Sequence, residues 1–339
     1  MVRRRSWPRR LARIAVRTAL GLVLALLLVL AGFRVRSAFR ETEPRRVPER
    51  TGAFVRTPLG ELRYQQRGGA DGQPVVFIGG TMAPSDTLVP LMDALCDERL
   101  RCLALDLPPF GYSERPADGD YGRERQADRI AAFVRALGLR GAVLVGHSFG
   151  GGPTVETAMR HPDDVRTFAL LAGALGLGSG PPPRAIRAVL AVPPLRTALA
   201  SATLSNPWAI RKSLRTFIED DATVTDTVVG RFTAPTRSLG MAAAAGRWAQ
   251  TALFADERSS LSAQPSSYAR YDRPVLLVWG DKDVATPLPQ ARELARLLPR
   301  ATLTVIPGVN HFPHVEAQSS VVAALRPFLL ARRADTASP

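Results

Sequence analysis

Residues 146–151 read Gly-His-Ser-Phe-Gly-Gly, between an apolar run at Ala142 to Val145 and a helical pattern from Thr154 to Arg160. A serine hydroxyl is a weak nucleophile. To attack an acyl carbon it needs exposure on a sharp turn, a base within hydrogen-bond reach and donors for the developing oxyanion. Small residues flanking Ser148 let the backbone make such a turn, and the N-terminus of the following helix adds its positive dipole. Ser148 is therefore the candidate nucleophile.

The base must be one of four histidines. His147 is fixed by the turn itself, and His161 ends a helix before Pro162. His311 and His314 lie in PGVNHFPHVE, after the strand pattern Ala301 to Ile306, where a loop at the sheet edge can reach the turn. His311 is the candidate base and His314 a packing or loop-bonding residue. A carboxylate must then hold the imidazole in one tautomer. The run Pro274 to Trp279 leads into GDKDVATP, which offers Asp281 and Asp283, whereas Thr167 to Ala172 ends without an acid.

The elements that position these residues alternate. Short β-rich runs at 54–57, 61–67 and 74–78 are followed by helix 87–97, strand 101–107, amphipathic helix 123–137, strand 142–145, helix 154–160 and strand 167–172. Such alternation with apolar strands predicts a mostly parallel sheet covered on both faces. From GALGLGSGPPP at 173–183 to about residue 272 the periodicity is helical, after which strand, helix, strand and a closing helix at 319–331 resume.

Chain order Ser, Asp, His is that of α/β-hydrolases. The chain resembles that superfamily over residues 53–331, in the branch of small esterases and C–C bond hydrolases with a helical cap. Besides the serine turn, DLPPFGYSERP at 106–116 is similar to the family's D-x-P-G-x-G-x-S segment, GDKDVATP to its acid loop and NHFPHVE to its histidine loop. The resemblance implies an α/β-hydrolase fold, with a mostly parallel eight-stranded sheet, helices on both faces and a helical cap insertion. It implies Asp283 as the acid and Asp281 as a loop residue. Oxyanion donors are expected at the backbone N–H groups of Phe149 and Thr81, with Met82 next in line. Gly79 stands where the family usually has histidine, Pro109 replaces a glycine, and Asn310 replaces another, asparagine tolerating a left-handed backbone. A serine at 148 argues against relatives whose nucleophile is a carboxylate.

The expected divisions are an N-terminal basic segment and anchor (1–33), a solvated stalk (34–52), a first core segment (53–173), the cap (174–272), a second core segment (273–331) and a tail (332–339). Met82, His147, Trp208, Phe217 and Trp248 are candidate substrate contacts, and Phe232 is a further cap residue facing the pocket. The expected activity is hydrolysis of a carboxylic ester or related acyl bond of a small to medium hydrophobic substrate, through an acyl-enzyme. C–C bond hydrolysis or cofactor-free perhydrolysis by the same three residues is the alternative within catalysis, and a catalytically silent membrane-anchored binding module the alternative outside it. No cofactor is expected.

Charge decides the remaining partners. The formal net charge is +15, yet residues 1–50 hold 13 arginines against three glutamates, a net of +10. The other 289 residues hold 32 basic and 27 acidic groups, a net of +5. The basic end encloses 16 uncharged residues, Thr18 to Phe33. As a helix these span roughly 24 Å against a hydrocarbon core of about 30 Å, and Arg17 can snorkel. A single-pass N-terminal anchor in a bacterial inner membrane is expected, with the body outside the cytoplasm. Val29-Leu30-Ala31 would serve the alternative, a cleaved signal and secretion. The arginine flanks then meet lipid headgroups and not nucleic acid. Cys96 and Cys102 are expected to be two separate buried thiols, and the scattered histidines give no metal-ligand spacing.

Overall fold

The computed structural model describes residues 7–43, 52–178 and 180–331. Eight strands form one sheet: β1 (Ala53–Thr57), β2 (Gly60–Gly68), β3 (Gln73–Ile78), β4 (Leu100–Leu105), β5 (Ala142–His147), β6 (Val165–Leu171), β7 (Val275–Gly280) and β8 (Ala301–Ile306). Their order is β1-β2-β4-β3-β5-β6-β7-β8. β1 and β2 pair antiparallel, as do β2 and β4, and every later pairing is parallel.

The period-2 side-chain alternation divides β3 between the two faces. Val76 and Ile78 enter one core cluster, beside Ile130, Phe133 and Leu294. Val75 and Phe77 enter the other, beside Leu91, Met92 and Leu325. The helices that cover the sheet are α2 (Val89–Leu95), α3 (Arg123–Ala136), α4 (Gly151–Arg160), α11 (Leu288–Leu297) and α13 (Gln318–Leu330), while α1 (Trp7–Arg40) precedes it. Between β6 and β7 lie α5 (Arg184–Ala191), α6 (Pro193–Ala202), α7 (Pro207–Phe217), α8 (Asp226–Thr233), α9 (Met241–Trp248) and α10 (Pro265–Ala269), and the short α12 (Pro313–Glu316) follows β8. The cap joins the core through a third cluster that mixes Met82, Phe110 and Phe312 with Ile210, Leu214, Phe232 and Trp248.

Two expectations need correction. Cys96 and Cys102 are not separate thiols: α2 ends at Leu95, the chain turns back through 97–99 into β4, and the two cysteines form a disulfide with Cα atoms 6.2 Å apart. Nor does a solvated stalk begin at residue 34. The helix continues to Arg40, Ser37 and Glu41 are buried, and Glu43 pairs with Ser238. The Glu41 carboxylate accepts hydrogen bonds from the backbone N–H groups of Gly240 and Ala242, where α9 starts, and from Ser37 Oγ. The orphan donors of that helix terminus reward a carboxylate. Residues 44–51, the rest of the expected stalk, and the tail 332–339 lie outside the described residues.

One buried ion pair ties the sheet to the loop before α2. Asp106, fully buried after β4, accepts from Arg63 Nη1 (3.1 Å), Ser85 N (2.6 Å) and Tyr112 N (2.8 Å). Arg63, on β2, also reaches Asp86 at 2.9 Å. Removing one partner of a buried pair leaves the other charge uncompensated. Arg63→Ala is expected to cost about 3–5 kcal/mol, read as a lowered denaturant midpoint with an unchanged slope.

Candidate active site

Ser148 sits between β5 and α4 with φ of +50°, a left-handed conformation that a non-glycine residue holds only under constraint from its surroundings. Its neighbours explain why the strained turn fits. A Cβ at Gly80 would lie 2.7 Å from Ser148 Cβ, so only glycine lets the loop after β3 come this close. A Cβ at Gly79 would collide with the carbonyl oxygen of Ala83, which leaves no room for a side chain such as the histidine expected there from the resemblance.

Ser148 Oγ lies 2.7 Å from His311 Nε2. His311 Nδ1 lies 3.0 and 3.1 Å from the two oxygens of Asp283. A carboxylate only accepts, so Nδ1 carries the proton and Nε2 faces the serine as acceptor. Asp283 also accepts from Ala285 N (2.9 Å), Thr286 N (2.8 Å) and Thr286 Oγ1 (2.7 Å). Burial alone would raise its pKa, but His311 and the two Thr286 donors together hold it below the ordinary carboxylate value. The histidine loop is pinned as well. His311 N donates to Phe217 O at 3.0 Å, and Glu316 accepts from Asn310 N and Phe312 N. Asn310 is not left-handed; its Oδ1 accepts from Val284 N and so links the histidine and acid loops. Asp281 accepts from Gly308 N, as a loop residue would.

A cavity of about 610 Å³ opens above the serine between core and cap. Thr81, Met82 and Phe149 line its core side, and Phe217 and Phe232 its cap side. Trp208 stands at the rim, 69% exposed. Trp248 does not line the cavity. It is buried behind Phe149 and Phe110, with ring centroids 4.8 and 4.9 Å away, and braces the wall.

His147 touches the cavity lining but is 1% exposed, and its Nε2 donates to the carbonyl oxygen of His311 at 3.0 Å. Its part is to hold the histidine loop. Its ring lies 4.5 Å from that of His314, and among the described residues the Nδ1 atoms of both lack a hydrogen-bond partner. Burial, with His314 and His311 alongside, holds the His147 pKa far below its usual value, and burial beside His311 pushes His314 down to about 3. Both are neutral when folded, whereas in the unfolded chain they take up protons near pH 6.5. The unfolded state therefore binds more protons as pH falls below 6.5, and stability drops on acidification. The expected loss approaches about 1.4 kcal/mol per pH unit for each histidine, down to the folded-state pKa values. Urea unfolding between pH 7 and 4.5 checks the slope, and His314→Gln should reduce it by one proton.

Comparison with known proteins places the chain. Residues 73–318 match the profile of the alpha/beta hydrolase fold, and the chain belongs to that family. It is 30% identical over 239 residues to a 2-hydroxymuconate semialdehyde hydrolase of Pseudomonas sp. (strain CF600), covering 68% of this chain and 76% of that protein. It is 28% identical over 270 residues to Lipase 1 of Psychrobacter immobilis, covering 76% and 77%. Among solved structures, that of a membrane phospholipase A superposes with a TM-score of 0.64 at 24% identity, over 95% of this chain and 98% of that one.

Proposed function

We propose that the protein is a serine hydrolase that cleaves carboxylic esters of apolar acyl groups through an acyl-enzyme and is held to a membrane by α1. The observation that carries this reading is the 2.7 Å approach of Ser148 Oγ to His311 Nε2 beneath a cavity walled by Met82, Phe149, Phe217 and Phe232. His311 takes the serine proton as Oγ bonds to the acyl carbon. The oxyanion is met by the backbone N–H groups of Phe149 and Thr81, with Met82 next to them. The protonated His311 then gives its proton to the departing alkoxide. Water, activated by the same nitrogen, releases the acid and restores Ser148. Asp283 stabilises the imidazolium without leaving its bonds to Thr286.

Among the described residues α1 is the one helix long and apolar enough to cross a membrane. The disulfide fits an oxidising compartment, which supports a body outside the cytoplasm. A second reading, hydrolysis of a C–C bond, is favoured by the similarity to 2-hydroxymuconate semialdehyde hydrolases. Against it, among the described residues the cavity lining carries one Lys, Arg, Asp or Glu side chain, Lys212, which is exposed. A panel of p-nitrophenyl esters of increasing chain length, set beside a ring-cleavage diketone, separates the two. Faster turnover of the esters is expected, and a diketone preferred over every ester would overturn the assignment.

A further inference from the structure

The cap carries a helix that water alone does not account for. α5 has eight residues, RAIRAVLA, of which Leu190 alone is buried. Isolated helices shorter than about 12 residues are marginal in water, and an amphipathic helix is normally held by the burial of its apolar face. Here Ile186, Val189 and the adjoining Val192 remain 37%, 40% and 43% exposed. Arg184 and Arg187 are exposed too, and the helix contains no acid. The nearby Asp256 carboxylate is engaged by Arg258 through two hydrogen bonds.

The position of α5 indicates what covers it. α1 packs along α6, and the partly or fully buried residues at its C-terminal end are Leu30, Phe33, Arg34, Ser37, Arg40 and Glu41. Their spacing is one face of a helix. Arg40 donates to Ser205 O, beyond the C-terminal end of α6. The other end of α6, where Val192 joins it to α5, is therefore directed back along α1 toward Leu30 and Phe33, which belong to the uncharged run. An apolar groove of about 380 Å³ opens between α5, α6 and Leu253, and Thr203, Leu204 and Leu253 line both this groove and the catalytic cavity.

We propose that α5 is an interfacial helix, lying on the bilayer that α1 crosses, with Ile186 and Val189 in the lipid and Arg184 and Arg187 against anionic headgroups. Short basic amphipathic segments bind membranes in this way, each arginine adding attraction to an anionic surface. The groove then meets the acyl chains of the leaflet, and the ester presented to Ser148 is that of a membrane lipid. This rests on the reading of α1 as an anchor and of Ser148 as the nucleophile.

The test uses the full chain reconstituted in phosphatidylcholine vesicles, with and without phosphatidylglycerol. Both native cysteines are disulfide-bonded, so Val189→Cys carries one environment-sensitive fluorophore, and Glu293→Cys on the exposed face of α11 is the reference. A blue shift and quenching by a lipid-borne quencher at 189 and not at 293 is the expected result. Equal, water-like emission from both sites in a chain that floats with the vesicles would overturn the proposal. A chain that does not float would overturn the anchor reading, and the proposal with it. Arg184→Gln/Arg187→Gln should keep turnover of a soluble short-chain ester while losing about tenfold or more of the rate gained from phosphatidylglycerol on a vesicle-borne acyl ester. An undiminished gain would contradict the headgroup contact. Wild-type protein inert toward the soluble ester would refute the hydrolase reading separately from the placement of α5.

Discussion

Ser148→Ala is expected to lower kcat for a short-chain p-nitrophenyl ester roughly a millionfold, and to abolish labelling by a fluorophosphonate. The size follows from the geometry. His311 Nε2 has one hydroxyl to activate, at 2.7 Å, and Asp283 is saturated by four donor groups, so neither can replace the nucleophile. A residual rate over water would remain from the oxyanion donors and the cavity. The substitution removes one oxygen from a site open to the cavity, so the unfolding midpoint should hardly move. That separates lost chemistry from lost fold.

Asp283→Asn should reduce kcat roughly ten-thousandfold. An asparagine oxygen can keep the bonds from Ala285 N and Thr286 N, which preserves the loop. Its amide nitrogen donates, however, and turned toward His311 it makes Nδ1 the acceptor. The proton then moves to Nε2, and the ring presents a donor where Ser148 needs an acceptor. An unchanged KM for the ester with a collapsed kcat is the expected pattern. A loss confined to KM would mean that Asp283 shapes the cavity and leaves the tautomer alone.

What was legible in the sequence divides by range. The strand-turn-helix around Ser148 is a local pattern, and the loops holding Asp283 and His311 follow apolar strand runs, so their meeting at one sheet edge followed from parallel topology. Trp208, Phe217 and Trp248 looked equivalent because all three are large aromatics in a helical stretch. Which one faces the cavity depends on helix rotation, and Trp248 turned inward behind Phe149. The burial of Glu41 depends on Gly240 and Ala242, some 200 positions away, so a sequence rich in arginine, glutamate and proline read as solvated. The pairing of Cys96 with Cys102 depended on how tightly the chain turns between α2 and β4. Asp106 stood inside a motif, but its link to Arg63 came from β2 lying beside β4 in the sheet order. Gly79 read as a departure from the family's histidine until the approach of Ala83 showed that no side chain fits there.

The ester mechanism requires the acyl group to reside for a time on one named oxygen. Rapid mixing of the full chain in detergent with a p-nitrophenyl ester, acid quenching and peptide mass mapping tests that directly. The predicted result is a burst of p-nitrophenol with the acyl mass on the peptide containing Ser148, absent in Ser148→Ala. Turnover of the ester without an adduct in either protein, or an adduct on another residue that persists in Ser148→Ala, would contradict it.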